Sequence, residues 1–390
     1  MRAIVVGAGI GGLTATLSLR RAGHDVTLVE QSRRLSEIGA GIQLAPNATR
    51  VLRRLGLLDA VAEHAARPSH VSFRTWSDGS EICRYVIGPD VEEEFGAPYL
   101  QLHRADLQRV LIAAVPPGSL RLATAVVGID QDDKGARVTT ASGERLDADL
   151  VVAADGIRSA ARQWLFGADE AVFSRTAAYR ALLPAAEVAD LDLPEYALWL
   201  GPNRHVVHYW LRHGRLLNVV AVFVTDRAAQ ESWTARAEPG EQVRTFAGWD
   251  PRLLTLLDRA GQVFRYGIHS RAPLPRWNVG RVTLLGDSAH AMVPFQAQGA
   301  AQAVMDAAVL GDCLTGVAPD EVPDALDRYV RRRAAAATAV QAGSVRAGHD
   351  YHVPDGPEAE QRNARLVALA AENRFGPHSA AWPVDVLADG

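Results

Sequence analysis

The first thirty residues restrict the fold more than any other stretch of the chain. Ile4, Val5 and Val6 run without a break into the glycine-rich GAGIGG of residues 7–12. Residues 13–22 have helical spacing with Gly23 as a C-cap, and residues 25–30, DVTLVE, read as a second buried strand. A strand, a helix and a strand packed this closely imply a parallel sheet. The glycines match G-x-G-x-x-G. Gly7 permits the tight turn, Gly9 lets backbone approach a pyrophosphate, and Gly12 lets helix and strand pack closely. Exposed N–H groups and the helix dipole then hold the negative charge. Glu30 stands 18 residues beyond Gly12, where an acid accepts ribose hydroxyls; the alternative is a surface carboxylate at a strand end. On these residues alone, NAD and FAD are served equally.

A chain of 390 residues exceeds one ordinary core, so two domains or one elaborated α/β domain is expected. A second glycine-punctuated loop at residues 39–47 leads into an amphipathic helix that Gly56 ends. Alternating strands follow from Pro68, a helix spans 104–114, and a hairpin forms at Ser142-Gly143-Glu144. An apolar strand at 150–154 runs into Asp155-Gly156, and residues 172–275 alternate aromatic and β-branched positions as a separate β-rich layer. Residues 281–285 return to the buried-strand pattern, and an alanine-rich helical region extends from Ala300 to about Arg346, with Arg331, Arg332 and Arg333 on its solvated side.

A formal charge of −4 offers no basic face for nucleic acid. Cys83 and Cys313 are far apart, without the spacing of a disulfide framework or a zinc site, so no metal is expected and a reducing cytoplasm fits. The most apolar stretch, residues 216–224, is about half of what a membrane span needs. No membrane association is expected, and the apolar start is too short for a secretory signal.

A second motif separates the two dinucleotides. Residues 283–290, TLLGDSAH, end a buried strand in Gly286-Asp287, and a short loop through Pro294, Gln298, Gly299 and Ala300 opens a helix. A carboxylate at a strand end suits a polyol such as the ribityl chain of FAD. Helix-start N–H groups suit the charge that develops at N1/C2=O of a reduced isoalloxazine. A lone surface Gly-Asp turn is the alternative. Three motifs in order exclude chance: residues 7–12 with Glu30, residues 154–162 (ADGIRSAAR), and residues 286–290 with Pro294, Gln298 and Gly299. With them the chain resembles the class A flavin-dependent aromatic monooxygenases of the para-hydroxybenzoate hydroxylase fold, in the salicylate and 3-hydroxybenzoate hydroxylase-like branch. Residues 39–47, 102–107 (LHRADL) and 351–356 (YHVPDG) carry further branch-like features.

The resemblance implies an α/β fold: a Rossmann-like FAD-binding domain (residues 1–70, 101–171 and 276–390), an interleaved β-rich substrate domain (71–100 and 172–275) and a C-terminal helical region. It implies non-covalent FAD, NADH or NADPH as co-substrate, O2 and a small aromatic substrate, in a monomer or homodimer. Position by position, Glu30 and Gln31 flank the adenosine ribose, Arg104 lies near the pyrophosphate and ribityl chain, and the Val126 backbone meets adenine. Asp155 and Gly156 serve FAD and NAD(P)H, Gly286 and Asp287 hold the ribityl or pyrophosphate region, and Gln298, Gly299 and Ala300 face the flavin ring.

In such enzymes a flavin C4a-hydroperoxide transfers an electrophilic OH to a ring carbon. A phenolate is a far better nucleophile than a phenol, so the protein needs a base that works near neutral pH, and a site that excludes water. His205 and Tyr209 lie four apart in a strand, on one face with Val207, whereas Val206 and His208 point away. With the resemblance, His205 is the phenol base and Tyr209 a substrate hydrogen-bond partner; the alternative is two structural polar residues where sheet and domain meet. Trp210 stands where the branch has a proline. Gln43 lines the pocket or bonds its own loop, Pro294 shapes the flavin–substrate edge or merely starts a helix, and His290 orients its loop. The expected activity is hydroxylation of a phenolic or heteroaromatic acid, decarboxylative where the carbon attacked carries the carboxylate. A tailoring monooxygenase for a larger natural product and a non-catalytic flavin-binding protein are the alternatives.

Overall fold

The computed structural model describes residues 1–35, 40–226 and 235–382; Gly39 of the second glycine loop and the tail from residue 383 lie outside the described residues. Strand Arg2–Val6 passes through Gly7 into helix Ile10–Arg21 and on to strand Asp25–Val29. The helix starts three residues before the sequence pattern suggests, and this puts Gly11 and Gly12 inside its first turn. Packing explains the choice of residue. A Cβ on Gly11 would lie 2.9 Å from Leu285 and 3.2 Å from Ala303, and one on Gly12 would overlap the Gly7 carbonyl oxygen.

Six strands form the first sheet, in the order Asn278–Val279, Val282–Leu284, Leu150–Ala153, Arg2–Val6, Asp25–Val29, Leu120–Arg121. All neighbours run parallel except the outermost pair, Asn278–Val279 with Val282–Leu284. Strands covered on two faces favour apolar side chains throughout, which is why the two central strands read as the unbroken apolar runs Ala3–Val6 and Leu150–Ala153. Chain order reverses between Arg2–Val6 and Leu150–Ala153, and the carboxyl ends of these two strands carry Gly7 and Asp155. Such a switch point leaves a crevice outside the strand ends.

Seven strands form the second sheet: Phe264–Ser270, Val172–Pro184, Leu216–Val224, Arg204–Leu211, Tyr196–Gly201, His70–Thr75, Glu81–Val86. Its outer face packs Tyr179, Trp199, Val206, Phe246 and Trp249 beneath helix Pro251–Arg259. Its inner face looks toward the first sheet and carries the polar groups described below.

The alanine-rich region is two helices, Gly299–Leu314 and Val322–Tyr351, not one. Gly316 at φ +72° and Pro319 break the run between them. The first helix packs along Ile10–Arg21, and the second ends against the turn at Asn203, between two interior strands of the seven-stranded sheet. Arg333 departs from the solvated face expected of it. Its side chain is fully buried against Asp306, whereas Arg331 is exposed. Its guanidinium donates to Asp306 and to Gln302 Oε1 (2.6 Å) on the preceding helix, a detail invisible in a run of three arginines.

Among the described residues no helix is long and apolar enough to cross a membrane, and no group of three His, Cys, Asp or Glu is arranged to hold a metal ion.

Candidate active site

The switch-point crevice is built from backbone. Gly7 adopts φ +100°, and a Cβ there would come to 2.5 Å from the Ala154 carbonyl. Above Gly9 nothing lies within 4 Å of an added Cβ, so backbone is open to a ligand at that point. Glu30 accepts hydrogen bonds from the N–H groups of Ala8 (2.8 Å) and Ser32 (2.9 Å), which fixes its carboxylate beside the glycine loop. The N–H groups of Ala123 and Thr124 bond the carbonyls of Ser32 and Glu30, which ties the segment leading to Val126 to the strand end that carries Glu30 and exposed Gln31.

On the opposite wall, Gly286 takes φ +65° and places Asp287 at the start of the short helix Asp287–His290. Arg104 opens helix Arg104–Ala114. Its guanidinium is reachable by solvent yet walled by protein, as befits a residue lining a deep groove; burial lowers its pKa and Asp287 opposes the shift. Asp155 has one buried carboxylate oxygen, Oδ1, without a hydrogen-bond partner among the described residues, and burial raises its pKa. An orphaned oxygen, a glycine cradle and an acid on the ribose side together fit a dinucleotide such as FAD.

The two motifs that flank this crevice are physically joined. Arg162, fully buried, donates to the carbonyl of Ala289 (2.9 Å), and Ser288 Oγ donates to that of Ala153 (2.7 Å). Behind them lies a buried ionic cluster. Asp306 accepts from Arg333 Nε (2.7 Å) and from the Gly286 N–H (3.0 Å), and its Oδ2 is 2.6 Å from His290 Nε2. Burial alone would raise the Asp306 pKa, but His290 and Arg333 outweigh it and hold the carboxyl at about 2. His290 thus orients its loop, as expected. Gln298 is also buried, its Oε1 accepting from Asn47 (2.9 Å), and it precedes the helix that Gly299 and Ala300 begin without a capping side-chain hydrogen bond. Pro294 is exposed, and its carbonyl receives the Ala297 N–H within the turn.

The inner face of the seven-stranded sheet lies across from this loop. Register puts His205, Val207 and Tyr209 on that face and Val206 and His208 on the other, as alternation predicts. Tyr196 pairs with Tyr209, with ring centroids 5.7 Å apart. Gln43 is buried, and its Oε1 accepts from the hydroxyls of Tyr99 (2.6 Å) and Tyr196 (3.1 Å). Asn218 receives the Gly41 N–H at 2.9 Å, and a Cβ on Gly41 would come to 2.6 Å from the Tyr209 hydroxyl. Sequence reasoning missed Tyr99, Tyr196 and Asn218. A solitary asparagine in the apolar run 216–224 was the one available signal.

Burial sorts these groups chemically. It pushes Tyr196 up to about 12 and raises Tyr209 and Tyr99 further, so the tyrosines are hydrogen-bond donors and not bases. His205, only 3% exposed, is lowered well below an ordinary histidine by burial and by His352, so its imidazole is neutral. Its ring packs edge-on to Phe295 (5.5 Å) and Tyr351 (5.3 Å), and its Nδ1 lies 2.7 Å from His352 Nε2.

The glycine cradle is testable by adding single methyl groups. Gly12→Ala is expected to cost stability by about 1–3 kcal/mol or more through overpacking, and to abolish flavin retention. Gly9→Ala has room in the fold, so its melting temperature stays at the parent value while FAD affinity falls by at least about tenfold, the order of one lost close contact. Equal FAD affinity in the parent and in Gly9→Ala would remove this loop from the cofactor site.

Residues 1–344 match the family described as an FAD binding domain. A 3-amino-4-hydroxybenzoate 2-monooxygenase of Streptomyces platensis is 39% identical over 366 residues, covering 94% of this chain and 92% of that enzyme. A 6-hydroxynicotinate 3-monooxygenase of Bordetella bronchiseptica is 33% identical over 352 residues, covering 90% of this chain and 91% of that one. Among solved structures, a salicylate hydroxylase substrate complex superposes with a TM-score of 0.81 at 26% identity, over 98% of this chain and 97% of that one.

Proposed function

The chain belongs to the FAD-binding-domain family of class A flavoprotein monooxygenases, and from that premise we propose that it hydroxylates a small aromatic acid carrying a ring hydroxyl. NADH or NADPH supplies two electrons and O2 the oxygen, one atom entering the ring and the other leaving as water. One observation carries the reading. His205, a buried neutral imidazole on the same sheet face as Tyr209, packs against Phe295, which stands three residues before Gln298 at the start of the cofactor-side helix.

FAD, when bound, supplies the activation of O2 and an electrophilic oxygen. Glu30 and the glycine loop would hold its adenosine half, Arg104, Asp155 and Asp287 its middle, and the N–H groups at Gln298–Ala300 its ring. The remaining work falls to the sheet face. His205 removes the phenolic proton, Tyr209 donates a hydrogen bond to the substrate further along the same face, and Gln43 fixes Tyr99 and Tyr196 so that neither swings into the pocket. Phe295, Tyr351 and the apolar residues Val207 and Val222 keep water out. The largest core, packed on the first sheet, and the core on the outer face of the second support a division into a cofactor domain and a substrate domain formed by 71–100 and 172–275, with a further cluster around Phe73, Tyr196 and Tyr351 joining the two.

The test is a purified yellow protein mixed with NADH or NADPH and a panel: 3-amino-4-hydroxybenzoate, 6-hydroxynicotinate, 3-hydroxybenzoate and salicylate. At least one acid is expected to accelerate nicotinamide oxidation by about tenfold or more, a change worth about 1.4 kcal/mol of barrier. The product gains one oxygen by mass, with loss of CO2 where the attacked carbon bore the carboxylate. A colourless protein that FAD does not reconstitute would overturn the proposal.

A further inference from the structure

His352 is the first residue past the long helix Val322–Tyr351, and it belongs to the YHVPDG stretch that the cofactor site does not use. Its ring stacks on His205, with centroids 4.9 Å apart and planes at 26°. The facing nitrogens, His205 Nδ1 and His352 Nε2, are 2.7 Å apart. Two lone pairs do not approach so closely, so one proton lies between the rings. His205 is sealed in, whereas His352 is partly exposed to solvent. The segment is also anchored. The His352 carbonyl accepts from the Asn203 N–H (3.1 Å), and Trp76 Nε1 donates to Asp355 (3.0 Å), which fixes the stretch to the seven-stranded sheet. Phe295 packs against the two imidazoles at 5.5 and 5.8 Å and walls off the direct route from His205 to water.

We propose that His352 is the proton exit of the site, carrying the substrate's phenolic proton from buried His205 to bulk water. The proposal rests on His205 being the base. The step is balanced without a redox partner. The substrate O–H bond breaks as a bond from that proton to His205 Nε2 forms. The His205 Nδ1–H bond breaks as a bond to His352 Nε2 forms, and His352 Nδ1 releases its proton to water. One proton leaves, the substrate remains as an anion, and no imidazolium persists in the interior. Without this exit, His205 would have to retain a positive charge in an enclosed site, which burial disfavours.

The test is stopped-flow mixing of the FAD-loaded protein with 3-amino-4-hydroxybenzoate in weakly buffered solution containing a pH indicator. Flavin content, substrate affinity and melting temperature are measured alongside. The parent releases a proton in one fast phase. His352→Ala is expected to slow that phase by about a hundredfold, the low end of what a positioned proton-transfer group contributes, and added imidazole restores it. His352→Gln retains a hydrogen-bonding amide but relays no proton, so it stays slow although it packs normally. Parent-like proton release in His352→Gln, or no acceleration of His352→Ala by imidazole, would overturn the relay. Failure of the base itself reads differently: His205→Ala would then release the proton at the parent rate.

Discussion

Asp306→Ala is expected to yield a protein that retains little flavin and melts several degrees below the parent, with a stability deficit of about 3–5 kcal/mol. The loss is large because the carboxylate serves three partners at once. Its removal leaves Arg333 buried without its anion, frees His290, and strips the acceptor from the Gly286 N–H. That N–H belongs to the glycine whose φ of +65° sets the position of Asp287, so the defect passes directly to the cofactor wall. pH gives the complementary check. The folded-state pKa lies below the ordinary value, so the contribution is complete above the usual carboxylate range and is lost as pH falls through about 2. Thermal denaturation between neutral and mildly acidic pH should therefore show no loss from this cluster. A double variant, Asp306→Leu with Arg333→Met, should lose less than the sum of its single changes, because the charge and its partner leave together. An Asp306→Ala protein that stays yellow with the parent's melting temperature would show that the loop is held some other way.

This cluster also marks where the sequence stopped being readable. The cofactor half was legible because its requirements are local. A tight turn, a close backbone approach and a carboxylate at a strand end each demand a residue type at a fixed offset, and Gly7, Gly12, Glu30 and Gly286-Asp287 satisfy them within short windows. Asp306 and Arg333 lie 27 positions apart on two helices, and neither window distinguishes a buried charge from a solvated one. The alternation of the strand bearing His205 and Tyr209 was likewise local, so the face was read correctly. What lay opposite that face was not readable. Tyr99 and Tyr196 meet at Gln43 from segments that are far apart in sequence, and His352 reaches His205 across 147 positions.

The two halves differ for a physical reason. A dinucleotide is the same molecule in every host, so its cradle is built from backbone geometry that a few glycines encode. A substrate pocket is built from side chains that converge from separate elements, here the inner face of one sheet, the loop at Phe295 and the end of a long helix. Tertiary packing sets their protonation states as well as their positions. Burial keeps Tyr196, Tyr209 and Tyr99 protonated and the imidazole of His205 neutral, the state that the proposed base requires.

That division of labour sets the expected behaviour of His205→Ala. The variant should bind FAD normally, since the histidine meets the cofactor-side loop only through the ring of Phe295, and it should still oxidise NAD(P)H. Hydroxylation should fall by about 10²–10⁴-fold, the usual contribution of a positioned base, while hydrogen peroxide rises to account for the reducing equivalents. No tyrosine nearby can replace the lost base, because burial raises Tyr351, which touches the histidine, as well as Tyr196, Tyr209 and Tyr99 away from the neutral range. Tyr209→Phe removes one donor and keeps the base, so its loss should be nearer tenfold, about the worth of one hydrogen bond. The parent's pH profile is equally specific. His205 is lowered well below the ordinary histidine value of 6.5, so it is already neutral there, and kcat/KM should show no histidine inflection near that pH. Unchanged coupling in His205→Ala, or an acid limb near 6.5 that the variant abolishes, would contradict a buried, neutral imidazole as the acceptor of the substrate's proton.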